Sequence, residues 1–302
     1  MTEKNNIFSN QFQPTPMNSN PSLSDSAGLP SRNIQLLVLD IDGTIAGVDN
    51  QVREPVKQAV QAVQAKGIQV AIATGRMYQS ALRFHYEIGA TLPLMTYQGA
   101  LVKDPTTNTV HRHWTVPRHL ASELLDYFEQ PEWRAALSVH FYINDQLYVR
   151  EITPATEDYV SRSTVKPIPV GDLRNTLDTE PTKVLALTDD PVMINNLLES
   201  LRQRYTPAEL YLTTSVATFF EATHPKVNKG TAVSYLAEEH LGIRAENVMA
   251  IGDNFNDLEM IEYAGIGVAM GNAPSEVQSR ADWVAPSVEH DGAAVAIAEF
   301  LL

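Results

Sequence analysis

From residue 34 onward, short apolar runs alternate with amphipathic stretches. The run at 35–39 predicts a buried strand. A helix follows over 53–66, with Val56, Val60 and Val63 on one face and Gly67 marking its end. A second apolar run at 69–73 predicts another strand, and 79–88 a helix closed by Gly89. Strand–helix–strand units of this length predict a parallel sheet with right-handed crossovers.

Near residue 97 the pattern changes. Turn signals at Gln98-Gly99, at 104–108 and at Asn144-Asp145 separate short alternating runs at 100–102, 110–114, 137–143 and 147–149, which predict antiparallel hairpins. Helical patterns lie at 119–129, 156–163 and 192–204, with a strand at 183–187 before the last. From 218 a strand-like stretch at 218–222 leads back into strand–helix alternation: helix 230–240, strand 248–251, helix 257–263, strands 265–269 and 283–285, and helix 293–301. The expected fold class is α/β. A doubly wound parallel-sheet core is built from residues 33–96 and 218–302, and an α+β domain of residues 97–217 is inserted into it. Residues 1–32 are rich in Asn, Ser, Pro and Gln without periodicity, and are expected to form a disordered tail.

Composition narrows the function classes. The formal charge is −14 and no cluster of five or more basic residues occurs, which argues against a nucleic-acid partner. A small phosphorylated substrate stays compatible, because a metal and one Lys can set the local sign. The absence of cysteine excludes disulfides and thiolate chemistry and fits a cytoplasmic location. No apolar stretch approaches the roughly 20 residues of a membrane span, and the first residues lack the apolar core of a signal peptide.

Candidate chemistry concentrates where the first strand ends, at Asp40-Ile41-Asp42-Gly43-Thr44. Ligands of open α/β sheets bind at the carboxyl ends of strands. Continued strand geometry predicts that Asp40 and Asp42 point to one side. Neighbouring carboxylates repel and call for a cation or a shared proton, and a hard cation such as Mg²⁺ suits them. An Asp beside such a cation is also a candidate nucleophile toward phosphorus.

Three further signals follow in order: Thr74-Gly75-Arg76 after the second strand, Lys229-Gly230 at a helix start, and Gly252-Asp253-Asn254-Phe255-Asn256-Asp257 after a third strand. The ordered set resembles the four motifs of the haloacid dehalogenase superfamily. The string Gly265-Ile-Gly-Val-Ala-Met-Gly-Asn-Ala273 is similar to its Cof-type phosphatases. The resemblance implies a Mg²⁺-dependent phosphatase acting on a small phosphorylated metabolite, such as a sugar phosphate, through an aspartyl-phosphate. It also implies a lid of the type II class between the second and third motifs. A phosphomutase, a sucrose-phosphate phosphatase and a non-catalytic binding module on the same fold are the alternatives.

Carried over residue by residue, the resemblance makes Asp40 the nucleophile and Asp42 the general acid and base. Metal ligands are a carboxylate oxygen of Asp40, the main-chain carbonyl of Asp42, and Asp253. Thr74, the Gly75 amide at a helix N-terminus, Lys229 and Asn256 are expected to contact phosphate. Asp257 either orients Lys229 or a metal-bound water, or caps the next helix, and the two roles are compatible. Arg76 either serves the site or forms a salt bridge toward the lid hinge. Asn272, in a turn expected near the site, is a further candidate. One residue departs from the Cof-type pattern: Gln98 stands where Asn is usual at the hinge.

Overall fold

The computed structural model describes residues 33–161 and 165–302; the segment expected to be a disordered tail lies outside them. In chain order the strands are β1 (Leu36–Leu39), β2 (Gln69–Ile72), β3 (Leu94–Thr96), β4 (Leu101–Lys103), β5 (Val110–His113), β6 (Ser138–Ile143) and β7 (Gln146–Val149). They continue with β8 (Pro167–Pro169), β9 (Lys183–Leu187), β10 (Tyr211–Thr213), β11 (Phe219–Thr223), β12 (Val248–Gly252), β13 (Ile266–Ala269) and β14 (Trp283–Val284). The α-helices are α1 (Glu54–Ala65), α2 (Tyr78–Glu87), α3 (Arg118–Phe128), α4 (Pro131–Arg134) and α5 (Pro154–Ser161). After them come α6 (Pro191–Arg204), α7 (Lys229–Ser234), α8 (Leu258–Tyr263), α9 (Ser275–Gln278) and α10 (Gly292–Leu301). Helix α7 runs on into a π-helical segment, Tyr235–Leu241.

Among the described residues the core is a parallel sheet in the order β14-β13-β12-β1-β2. Its strands are buried on both faces, so they read as continuous apolar runs. Alternate residues face opposite layers. Leu37, Leu39, Val70, Ile72, Met249 and Ile251 join Val56, Val60 and Val63 of α1 and Ile297 of α10 in one cluster. Leu36, Val38, Ala71, Val248 and Ala250 join Ala232 and Val233 of α7 and Met260 of α8 in another. From β1 the chain crosses to β2 on one side and, much later, to β12 on the other. The carboxyl ends of β1 and β12 therefore flank a topological switch point, where such sheets bind ligands.

The inserted segment forms a separate cap with its own apolar core. Its sheet runs β10-β11-β9-β6-β7-β8, antiparallel except for the β7–β8 pair. Helices α3 and α6 cover it through Leu120, Leu124, Leu197 and Leu201, packed on Phe141, Val184 and Phe220. Strand β11, expected at the head of the returning core segment, instead pairs with β9 and β10 inside the cap sheet. Its alternation suits either sheet, and the partner strand decides. Strands β4 and β5 pair with β3 in a small sheet of their own rather than with the cap. Among the described residues no helix is long and apolar enough to cross a membrane.

Candidate functional site

Strand β1 stops at Leu39, and Asp40 keeps one ladder bond, donating its amide to the Ile251 carbonyl at 3.0 Å. This fixes a buried carboxylate at the switch point. Beyond it the chain turns, so strand alternation no longer governs Asp42. Asp40 reaches Lys229 while Asp42 reaches Arg76, and Asp42 stands outside the carboxylate group of Asp40, Asp253 and Asp257, contrary to the expectation that the two point together to one side. The Asp42 side chain is more than half exposed and is gripped by Arg76, which donates through Nε to Oδ2 at 2.7 Å and through Nη2 to Oδ1 at 2.5 Å. The same guanidinium also donates to Asn50 Oδ1. Arg76 thus ties the Asp42 loop to the second motif rather than bridging to the lid hinge.

Lys229 is the first residue of α7. Asn228 caps this helix by accepting from the Thr231 amide, while the Thr231 hydroxyl accepts from the Asn228 amide. Such a reciprocal cap fixes the helix start and contributes about 1 kcal/mol. The fully buried Lys229 ammonium then reaches Asp40 Oδ1 at 2.6 Å and Asp257 Oδ1 at 2.5 Å. The other oxygen of Asp257 accepts from the amides of Asp253 and Asn254 at 2.8 and 3.0 Å. Asp257 makes no side-chain cap to α8; it closes a capping box on the turn begun by Asn254 while orienting Lys229.

Asp253 follows β12. Asn272 donates to its Oδ2 at 3.2 Å and to the Gly43 carbonyl at 2.9 Å, and accepts from the Val288 amide. Gly43 has φ +77°, and a Cβ there would lie 2.1 Å from Asp253 Oδ2. Only glycine lets the two loops approach this closely.

Oxygens of Asp40, Asp253 and Asp257 lie within 4.8 Å of one another. Crowding of this kind has an electrostatic cost. Burial, with Asp257 and Asp42 adding repulsion against the pull of Lys229, pushes the Asp40 carboxyl from 3.8 to about 7. Burial, then Asp257 and Asp40, pushes Asp253 to about 9. Burial also works against the Lys229 charge, but Asp257 and Asp40 overcome it and hold the ammonium above its usual range. A group of three carboxylates, Asp40 and Asp257 buried and Asp253 partly so, with one ammonium among them is short of positive charge. Its oxygen-only donors fit a hard divalent cation. Asp257 spends both oxygens on protein donors, which leaves Asp40 and Asp253 as the side chains suited to a metal.

The remaining candidates fall around this centre. Thr74 is buried and its Oγ1 accepts from the Arg76 amide at 3.1 Å. It is not a helix N-cap, and Gly75 does not stand at a helix N-terminus, because α2 begins at Tyr78 with Met77 as its cap residue. The first-turn amides of α2, Tyr78 and Gln79, are taken by the Asp145 carboxylate from the β6–β7 turn of the cap, each at 3.0 Å. Asn256 is buried and donates to Gln98 Oε1 at 3.0 Å, while its own Oδ1 has no partner. Gln98 is buried in a left-handed conformation (φ 62°). Its importance was legible only as a departure from pattern.

A sequence model described as haloacid dehalogenase-like hydrolase matches residues 37–297. The 5-amino-6-(5-phospho-D-ribitylamino)uracil phosphatase YcsE of Bacillus subtilis is 30% identical over 273 residues, covering 89% of this chain and 97% of that protein. The solved phosphatase BT1666 of Bacteroides thetaiotaomicron is 27% identical with TM-score 0.73, covering 91% of this chain and 99% of its own. The subclass IIB sugar phosphatase BT4131, at 22% identity and TM-score 0.76, shares the fold over 88% of this chain and 98% of its own. The family model's match across nearly the whole described chain, beside relatives of this length and identity, leaves one assignment: this protein belongs to the haloacid dehalogenase-like hydrolase family.

Proposed function

We propose that this protein is a Mg²⁺-dependent phosphatase that hydrolyses a small phosphorylated metabolite, in the class of sugar phosphates, through an aspartyl-phosphate on Asp40. The observation that carries the reading is the buried Asp40 carboxylate at the switch point, 2.6 Å from Lys229 and grouped with Asp253. Relatives named as phosphatases of different phosphate esters support the reaction class and leave the metabolite open.

Asp40, Asp253 and the main-chain carbonyl of Asp42 would hold the cation. When bound, it neutralises the nucleophile and the phosphoryl oxygens so that two anions can approach. Lys229 supplies a second fixed positive charge against Asp40. Thr74, the Gly75 amide and Asn256 would bind phosphoryl oxygens. An Asp40 oxygen attacks phosphorus as the ester P–O bond breaks, and Asp42 gives its proton to the departing oxygen. Asp42 then takes a proton from water, whose oxygen attacks phosphorus. The bond to Asp40 breaks, and inorganic phosphate leaves with the carboxylate restored. For both transfers Asp42 must turn from Arg76 toward Asp40, a side-chain rotation that the exposure of Asp42 permits. The cap, residues 97–217 with β11, would close over the site to exclude bulk water and select the leaving group.

The test is a screen of phosphorylated metabolites for phosphate release with Mg²⁺, repeated with a chelator. Turnover is expected only with the metal, and a chiral phosphate ester should react with retention at phosphorus. Metal-independent hydrolysis or net inversion would refute the proposal.

A further inference from the structure

Three successive carbonyls of the second motif are held from behind. Thr74 O accepts from the Gln98 amide at 3.0 Å and Arg76 O from the Tyr97 amide at 2.9 Å, both from the hinge. Gly75 O, between them, accepts from the ammonium of Lys183 at 3.0 Å, and Lys183 is the first residue of cap strand β9. The same ammonium pairs at 3.3 Å with Glu221 of the neighbouring strand β11, and both side chains are buried. Glu221 in turn accepts from Gln98 Nε2 at 3.1 Å and from the Ser215 hydroxyl. Gln98 lies so close to Gly75 that a Cβ there would meet its Nε2 at 2.5 Å, and its Oε1 holds Asn256.

We infer that Lys183 and Glu221 are positioning residues: a buried cap ion pair that sets the Gly75 peptide directly and Asn256 through Gln98, and so shapes the phosphate cradle. The inference rests on the phosphatase reading for the roles of Gly75 and Asn256. Its physical basis is the cost of a buried charge. An ion pair out of water is tolerated when its remaining hydrogen-bonding capacity is met. Here Ser215 of the cap meets part of that capacity, and the rest is met by Gly75 of the loop that would grip phosphate and by Gln98 of the hinge. A purely structural pair would be satisfied within the cap sheet. This one sends a donor to Gly75 O and an acceptor to Gln98, both outside that sheet. The cradle is therefore complete only with the cap seated, which links lid position to phosphate affinity.

The test is the double variant K183M/E221Q, which removes both charges together and so leaves neither buried alone. The readouts are steady-state hydrolysis of p-nitrophenyl phosphate with Mg²⁺ and the inhibition constant of inorganic phosphate. Circular dichroism well below the unfolding temperature confirms the fold. Displacing the cradle is expected to lower kcat/KM and raise the phosphate inhibition constant, each by about ten- to a hundredfold. A second variant, Gln98→Gly, suits the left-handed backbone and keeps the ion pair while removing the amide link. It should move both constants in the same direction. Unchanged constants in either folded variant, beside an active wild type, overturn the positioning role alone. A wild type that neither cleaves phosphate esters nor binds inorganic phosphate overturns the phosphatase reading with it.

Discussion

Replacing Asp40 with Asn should abolish turnover and also stabilise the metal-free protein, by an amount that grows with pH. In the fold, burial and neighbouring carboxylates move the Asp40 carboxyl from 3.8 to about 7. A carboxyl raised by folding contributes stability that is full below its unfolded value and is lost as pH rises through the folded value. Each pH unit between the two is worth about 1.4 kcal/mol, so ionised Asp40 costs the metal-free fold about 4 kcal/mol once pH exceeds about 8. At about pH 5, well below the folded value, the cost is much smaller. Asn keeps the shape and an acceptor for Lys229 but never ionises. Its advantage over wild type should therefore widen by about 3 kcal/mol between about pH 5 and about pH 8. Urea unfolding of both proteins in a chelating buffer measures this directly. Added Mg²⁺ should narrow the gap, because the cation stabilises the wild-type carboxylate by binding the native state. A variant no more stable than wild type at the higher pH would refute the electrostatic reasoning, and one with wild-type turnover would refute the nucleophile assignment.

Gly43→Ala should push Asp253 aside, since the new Cβ would fall 2.1 Å from its Oδ2. Calorimetry should show Mg²⁺ affinity down by about ten- to a hundredfold, as when a ligand loses its support; unchanged affinity would count against Asp253 as a ligand. Asp145→Ala removes the acceptor for two α2 amides and for the Tyr97 hydroxyl. A loss of about 1–3 kcal/mol in denaturant unfolding is expected, with faster amide exchange at Tyr78 and Gln79, and no change in exchange would contradict the contact. Burial, with Lys183 adding to it, pushes His140 down to about 3. Below about pH 6.5 the unfolded chain takes up a proton that the folded His140 refuses, so stability present at neutral pH should fall by about 1.4 kcal/mol per unit toward pH 4. His140→Phe should lose that part of the slope, and identical slopes in both proteins would refute it.

Hydrophobic periodicity revealed the parallel core because its strands are buried on both faces and each is followed by an amphipathic helix. Asp40, Lys229 and Asp253 were legible for a related reason: each stands at a strand end or a helix start that local pattern already marks. Partners chosen across space were not legible. Strand β11 alternates in a way that suits either sheet, and only its neighbours β9 and β10 decide. Short strands such as β3, β8 and β10 carry too few residues for periodicity to register.

The sequence by itself determined the fold class, the order of the four motifs and the carboxylates that gather at the switch point, since these follow from period, spacing and residue chemistry along the chain. Tertiary structure alone decided that Asp42 rests on Arg76, that Asp145 caps α2 from another domain and that Lys183 reaches Gly75. These contacts join residues 34, 67 and 108 positions apart. Side chains that distant are brought within hydrogen-bonding range by the packing of whole elements, which no local run of residues encodes.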